Sequence, residues 1–185
     1  MSGSNDMRFK VMPGGQLGGR LRVPGDKSIS HRSIMLGSLA EGRTEVSGFL
    51  EGQDSLATLS AFRAMGVQIE GPHDGRVQIE GVGLHGLQQP GGPLYLGNSG
   101  TSMRLMSGLL AGQAFSTTLT GDASLSGRPM KRVTAPLTSM GAHIDATPDG
   151  TAPLLVHGGA ALHGIEYHMP VASAQVKSSL LLAGL

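Results

Sequence analysis

Two stretches of this chain carry the same run of apolar and polar positions. In the first, Leu56, Leu59, Phe62 and Met65 recur at helical spacing after Asp54, which reads as an N-cap, and Gly66 stops the helix. Val67 and Ile69 then alternate with polar residues as in a half-buried strand. Asp74-Gly75 is a hairpin-turn signal, and Val77 and Ile79 alternate again. The series returns with an offset of 75 residues, from Met65 to Met140 and from Asp74 to Asp149. In that second copy Met140-Gly141 ends a helix, Ala142 to Ile144 begins a strand, Asp149-Gly150 turns, and Leu154 to Val156 returns. Pro136 falls inside the second helix, where it predicts a kink or a late start.

Another helix precedes each of these runs. Ser28 to Leu39 carries Arg32 and ends at Ala40-Glu41-Gly42, and Ser99 to Leu110 carries Arg104 and ends at Ala111-Gly112. A third begins at Ser173, carries Lys177 and reaches Ala183-Gly184. The repeated unit is strand–helix–strand–helix–strand–strand (βαβαββ), present twice with a third copy begun, so the fold class is α/β. The chain stops at Leu185 on an apolar helix with no cap and no following strand, which reads as the front part of something longer.

Composition narrows the chemistry. The 30 glycines among 185 residues sit at the ends of periodic segments, as caps and turns, and not in a low-complexity tract. The formal net charge of +1 leaves no broad basic field for nucleic acid or a membrane surface, so any anion site must be local. The absence of cysteine excludes disulfides, thiolate metal sites and cysteine nucleophiles. No apolar run approaches the length of a membrane span, and Met1 to Asp6 lacks the apolar core of a signal peptide, so a cytoplasmic location is expected. His73, His85, His143, His157, His163 and His168 have no metal-ligand spacing and read as bystanders, so no metal is expected. No nucleotide P-loop is present.

The candidate chemistry lies at helix starts. Pro24-Gly25-Asp26-Lys27-Ser28-Ile29-Ser30-His31-Arg32 leads a turn into a helix, with Lys27, Ser28 and Arg32 close in space because residues four apart share a face. Free N–H groups and the positive dipole end add to their charge, which suits a phosphate ester or carboxylate. Asn98-Ser99-Gly100-Thr101-Ser102-Met103-Arg104 is a second such start, where Gly100 lets a ligand approach the backbone. Arg128 precedes Pro129, which suits the first helical position and so places an arginine fork at a helix entrance. Ser173-Ala174-Gln175-Val176-Lys177 is the third start, with a hydroxyl and an amide for polar ligands. Each segment alone is matched by ordinary capping beside a solvated basic side chain. Their equivalent places in a repeated unit change that balance, because repeats around a common axis aim the helix starts at one end.

Together these segments resemble the 5-enolpyruvylshikimate-3-phosphate synthase family, from about Pro24 to Leu185, in order and at family spacing. The motifs are Pro24 to Arg32, Gly97-Asn98-Ser99-Gly100-Thr101, Arg128-Pro129-Met130 and Ser173 to Lys177. Leu105 and Ser173-Ala174-Gln175 are similar to the bacterial class II form. The resemblance implies two domains of three βαβαββ units each, an inside-out α/β barrel, closing over the substrates. Residues 1–20 would belong with the opposite, C-terminal domain, and residues 21–185 would form an incomplete N-terminal substrate-binding domain.

The resemblance also implies transfer of the enolpyruvyl group of phosphoenolpyruvate to the 5-hydroxyl of shikimate 3-phosphate, releasing phosphate, with no cofactor. By it, Lys27 would be catalytic and bridge both substrates. Ser28, Arg32, Ser173, Ala174 and Gln175 would hold shikimate 3-phosphate, while Asn98, Gly100, Arg128 and Gln175 would line the phosphoenolpyruvate site. Glyphosate would compete near Gly100. The acid–base carboxylates, a second lysine and two further arginines would come from the C-terminal domain, so a complementary fragment is the expected partner. Two other readings stand beside this one. The enolpyruvyl transferase of peptidoglycan synthesis normally carries a loop cysteine, which this chain lacks. A non-catalytic anion-binding half would bind shikimate 3-phosphate without reacting.

Overall fold

The computed structural model describes residues 9–16 and 18–185, and no helix among them is long and apolar enough to cross a membrane. The first unit runs α1 (Lys27–Leu39), β1 (Glu41–Ser47), α2 (Gln53–Ala64), β2 (Gln68–His73) and β3 (Arg76–Val82). The second runs β4 (Leu94–Tyr95), α3 (Gly100–Ala111), β5 (Thr117–Thr120), α4 (Ala123–Ser126), α5 (Lys131–Ser139), β6 (Ile144–Asp145) and β7 (Leu154–Val156). Helix α6 (Ala174–Ala183) follows. The strands form two sheets, β1-β3-β2 and β4-β5-β7-β6, in which only β4 and β5 pair in parallel.

Helix α3 is the axle of the structure. Met103, Leu105, Met106, Leu109 and Leu110 point around its whole circumference and are all at most 2% exposed. A helix apolar on every side must be surrounded, and α3 touches α1, α2, α5 and α6 as well as β5 and β7. Each of those side chains contributes about 1.5–3 kcal/mol on burial. On one flank the contact is backbone-close: a Cβ built on Gly108 would stand 2.0 Å from the Ser179 carbonyl oxygen of α6. Gly108 therefore lets α6 lie against α3 at a separation that a side chain would prevent.

The repeat is present, with local departures that have physical causes. Helix α2 begins at Gln53 with Gly52 as N-cap, so Asp54 is a first-turn residue and not the cap expected of it. Its carboxylate faces Lys27 instead. Asp74 (φ 50°) and Gly75 (φ 70°) make the left-handed pair that an Asp-Gly hairpin needs. In the second copy the hairpin shrinks to two residues of β6 against three of β7. Pro148 and Pro153 lack ladder donors there, and Thr147 closes the loop through its hydroxyl, which lies 2.8 Å from that of Thr151.

Helix α5 starts late, at Lys131, and holds Pro136 in its interior, but ends in register: Ser139 stands 75 positions after Ala64, the last residue of α2. Pro129 is not its first residue. Met130 is the N-cap, and Arg128 follows Gly127, the C-cap of the extra helix α4, so the arginine occupies a joint between two helices. The expected opening strand of the first unit does not form. Leu21 and Val23 are 84% and 71% exposed, whereas Leu94, their counterpart in the second unit, is buried beside β5.

Candidate functional site

The start of α1 is fixed by Asp26, whose side chain accepts the Ile29 N–H at 2.7 Å. The turn before it is tight: a Cβ on Gly25 would fall 1.8 Å from the Gly48 carbonyl oxygen. Ser30, buried one turn in, accepts the Leu50 N–H at 2.9 Å and so ties the loop after β1 to α1. This places the Lys27 ammonium 3.2 Å from Asp54 Oδ2, with Lys27 half exposed. Arg32 bends back to the Ser28 carbonyl at 3.1 Å and donates to Ser178 Oγ on α6 at 2.6 Å. Arg32 thus meets the Ser28 backbone and α6, while Lys27 turns to Asp54 on α2.

The start of α3 is capped by Ser99, which accepts the Ser102 N–H at 3.1 Å. Beside it, Arg104 Nη1 donates to the Gly100 carbonyl at 3.3 Å and to Gln175 Oε1 at 2.9 Å. Gln175 Nε2 donates in turn to Thr101 Oγ1 at 3.1 Å, so α6 begins directly over α3. Ser173 caps α6 through the Val176 N–H, and Ala174 is its first residue. Lys177, equivalent by spacing to Arg32 and Arg104, is exposed and joins none of these bonds.

Arg128 reaches Asn98 Oδ1 with one guanidinium nitrogen, which also lies 3.4 Å from Ser124 Oγ. The Asn98 amide nitrogen donates to both Asp122 oxygens, at 3.0 and 2.8 Å. Asp122 also caps α4, accepting the Leu125 N–H at 2.7 Å. The Asn98 amide, then the Leu125 N–H and Arg128, hold the Asp122 carboxyl below its usual range. Gly100 lies under two guanidinium groups: a Cβ there would be 2.7 Å from Arg104 Nη1 and 3.1 Å from Arg128 Nη1.

The electrostatics follow from this packing. Arg104 is 6% exposed and donates to neutral oxygens of Gly100, Gln175 and Pro129, while its Nε has no partner among the described residues. Burial, then Arg132 and Arg128, lower its pKa, although a guanidinium keeps its proton at neutral pH. Asp54 and Asp122 are already engaged with Lys27 and Asn98. A cluster of cations with its acids committed suits an added anion.

Several groups had no substrate role assigned from the sequence. They are His31, Thr58 and Ser102, which are buried, Asp54 as the partner of Lys27, Asp122, and Arg104, which the sequence marks only as the basic residue of the second helix start. For His31 and Thr58 a signal existed: each stands four residues after a charged residue at a helix start, Lys27 and Asp54. Burial, with Lys27 and Arg32 adding to it and Asp54 opposing, lowers the His31 pKa from 6.5 to about 4. The folded protein therefore binds fewer protons than the unfolded chain between those values. Stability from this group is complete above pH 6.5 and is lost as pH falls toward 4. Urea midpoints at pH 7 and pH 4.5 test this: the acid-side decline is expected to be shallower in His31→Asn.

A sequence model of the EPSP synthase family (3-phosphoshikimate 1-carboxyvinyltransferase) matches residues 11–185. The chain belongs to this family. It is 74% identical over 179 residues to the 3-phosphoshikimate 1-carboxyvinyltransferase of Alkalilimnicola ehrlichii, covering 97% of this chain and 40% of that protein. It is 72% identical over 180 residues to that of Methylococcus capsulatus, covering 97% and 41%. The EPSP synthase structure from Acinetobacter baumannii superposes with a TM-score of 0.88 at 62% identity, over 90% of this chain and 38% of that one. The chain thus spans about 40% of the length of the curated EPSP synthases it matches.

Proposed function

We propose that this chain supplies one half of the active site for enolpyruvyl transfer from phosphoenolpyruvate to shikimate 3-phosphate, the reaction that gives its family its name. The observation that carries the reading is the meeting of three helix starts and the α4–α5 joint, with Lys27, Arg32, Arg104 and Arg128 gathered at one end. Ser28, Arg32, Ser173, the Ala174 N–H and Gln175 bind shikimate 3-phosphate. Asn98, Gly100, Arg128 and Gln175 bind phosphoenolpyruvate, and Lys27 lies between the two substrates. The 5-hydroxyl gives its proton to a carboxylate base as its oxygen bonds to C2 of phosphoenolpyruvate and C3 takes a proton, giving a tetrahedral intermediate. C2–O cleavage then releases phosphate, and loss of a C3 proton restores the enol double bond. Both substrates are anions, so fixed cations and helix N-termini stabilise charge without reorganising during the reaction.

We place residues 1–20 with a second domain and residues 21–185 in the first. Supporting this, Phe9, Val11 and Met12 are exposed and lie outside any helix or strand, although residues 1–8 and 17 are outside the described residues. The acid–base carboxylates then come from a complementary domain or fragment, and the protein works in the cytoplasm. The test is calorimetric titration with shikimate 3-phosphate, beside phosphate release with both substrates. Binding without turnover is expected for this chain alone, and turnover once a complementary fragment is added. Product formation by the purified chain alone would overturn the half-site reading. Failure to bind shikimate 3-phosphate in the presence of the complement would overturn the substrate assignment.

Glyphosate is expected to compete with phosphoenolpyruvate beside Gly100. In Gly100→Ala the added methyl presses on the tips of Arg104 and Arg128 as well as on the ligand. The glyphosate inhibition constant and the KM for phosphoenolpyruvate should both rise in the assembled enzyme, the former more. Equal rises would refute steric discrimination at this position.

A further inference from the structure

Beneath the Lys27–Asp54 pair lies a second, buried pair. His31 and Thr58 each stand one helical turn further along, on α1 and α2, so both pairs join residues 27 positions apart. His31 Nδ1 is 2.7 Å from Thr58 Oγ1, and both residues are completely buried. The line continues: Thr58 Oγ1 is 2.6 Å from Ser102 Oγ, and Ser102 Oγ donates to Ser99 Oγ at 2.6 Å. Ser99 is the N-cap of α3, beside Gly100. One line of polar atoms therefore joins the second turns of α1 and α2 to the first turn of α3.

The bond from Ser102 to Ser99 orients the rest of the line. The single hydroxyl proton of Ser102 goes to Ser99, so Ser102 can only accept from Thr58. With the Thr58 proton on Ser102, 2.6 Å away, in preference to the Asp54 carbonyl at 3.4 Å, Thr58 accepts from His31. In that order His31 carries its proton on Nδ1 and leaves a lone pair on Nε2. That nitrogen is buried and has no partner among the described residues. Protonating it would bury a cation near Lys27 and Arg32, with Asp54 the carboxylate opposing them.

We propose that neutral, Nδ1-protonated His31 is a positioning residue that sets the Lys27–Asp54 pair against the start of α3. The line closes only when the three helix starts are in register, and it lies a single turn below the groups that meet the ligand. Slippage of α1 against α2 leaves at least one buried hydroxyl unpaired. The geometry stands by itself, whereas its consequence for binding rests on the proposed function.

The experiment has two readouts on the protein with its complementary domain. Nitrogen-15 spectra of histidine-labelled protein report the tautomer independently of any ligand. A proton on Nδ1 and a bare Nε2 for His31 are expected, and a proton on Nε2 overturns the proposal. Calorimetric titration with shikimate 3-phosphate then compares His31→Leu, Thr58→Val and His31→Asn. The first two remove a link and should weaken binding about 10-fold or more, as misplaced site groups do. The asparagine amide can donate from a position close to Nδ1 and should restore most of that affinity. Unchanged affinity in Thr58→Val, or an asparagine variant as weak as the leucine one, overturns the proposal even if His31→Leu does not fold. If the parent protein fails to bind shikimate 3-phosphate while the spectra show Nδ1–H, the fault lies with the assigned ligand. Inorganic phosphate as the titrant then makes the same comparison among the variants.

Discussion

Gly108→Ala is expected to lower the stability of the protein by about 3 kcal/mol or more and to loosen the start of α6. The new methyl would sit 2.0 Å from the Ser179 carbonyl oxygen, a backbone atom that no rotamer change can move aside. Overpacking a close core commonly costs about 1–3 kcal/mol, and this contact is backbone against backbone. The damage has a direction. Moving α6 off α3 draws Gln175 away from Arg104 and Thr101, and Ser178 away from Arg32. Guanidinium denaturation and calorimetric titration with shikimate 3-phosphate, run on the same variant, measure both effects. Unchanged affinity at reduced stability would show that the α6 start is held by something other than its packing on α3.

Lys27→Met should reduce kcat of the assembled enzyme by about 1,000-fold, a loss of the size seen when an electrostatic stabiliser is removed. Losing the ammonium also leaves Asp54 without its 3.2 Å partner, so a carboxylate would face two anionic substrates. That second effect can be separated. That repulsion should raise substrate KM in Lys27→Met, and in Lys27→Met/Asp54→Asn the KM should fall back in part while kcat stays low. Steady-state kinetics of the single and double variants against both substrates make the comparison. If the double variant is no better than Lys27→Met, Asp54 does not repel the substrates and only the missing cation matters.

The features legible in the sequence were local ones. The apolar spacing of Leu56, Leu59, Phe62 and Met65, the Asp74-Gly75 turn and the capping residues Ser99 and Ser173 each act within a few positions, and the structure keeps them. Clustering at one end was also legible, because the repeat requires equivalent helices to point alike. Boundaries failed where tertiary partners decided them. Asp54 looked like an N-cap but lies beside Lys27, and Pro129 looked like a first helical residue but stands before the cap Met130. The opening strand that the repeated unit implies is absent from the first unit, because such a strand is held by its neighbours and not by its own sequence. The line from His31 to Ser99 was hidden for a related reason: its links span 27, 44 and 3 residues, and only the last is local.

The bond from Arg32 to Ser178 spans 146 residues, and that from Arg104 to Gln175 spans 71. During synthesis the first helix start therefore leaves the ribosome long before its last partner exists. Contacts so distant along the chain must meet the loop-closure entropy of everything between them before they return any stability. At roughly 5–20 residues per second of translation, the nascent chain spends on the order of ten seconds with its arginines gathered only in part. Anion affinity should thus arise late and abruptly, when α6 emerges, and not build up helix by helix.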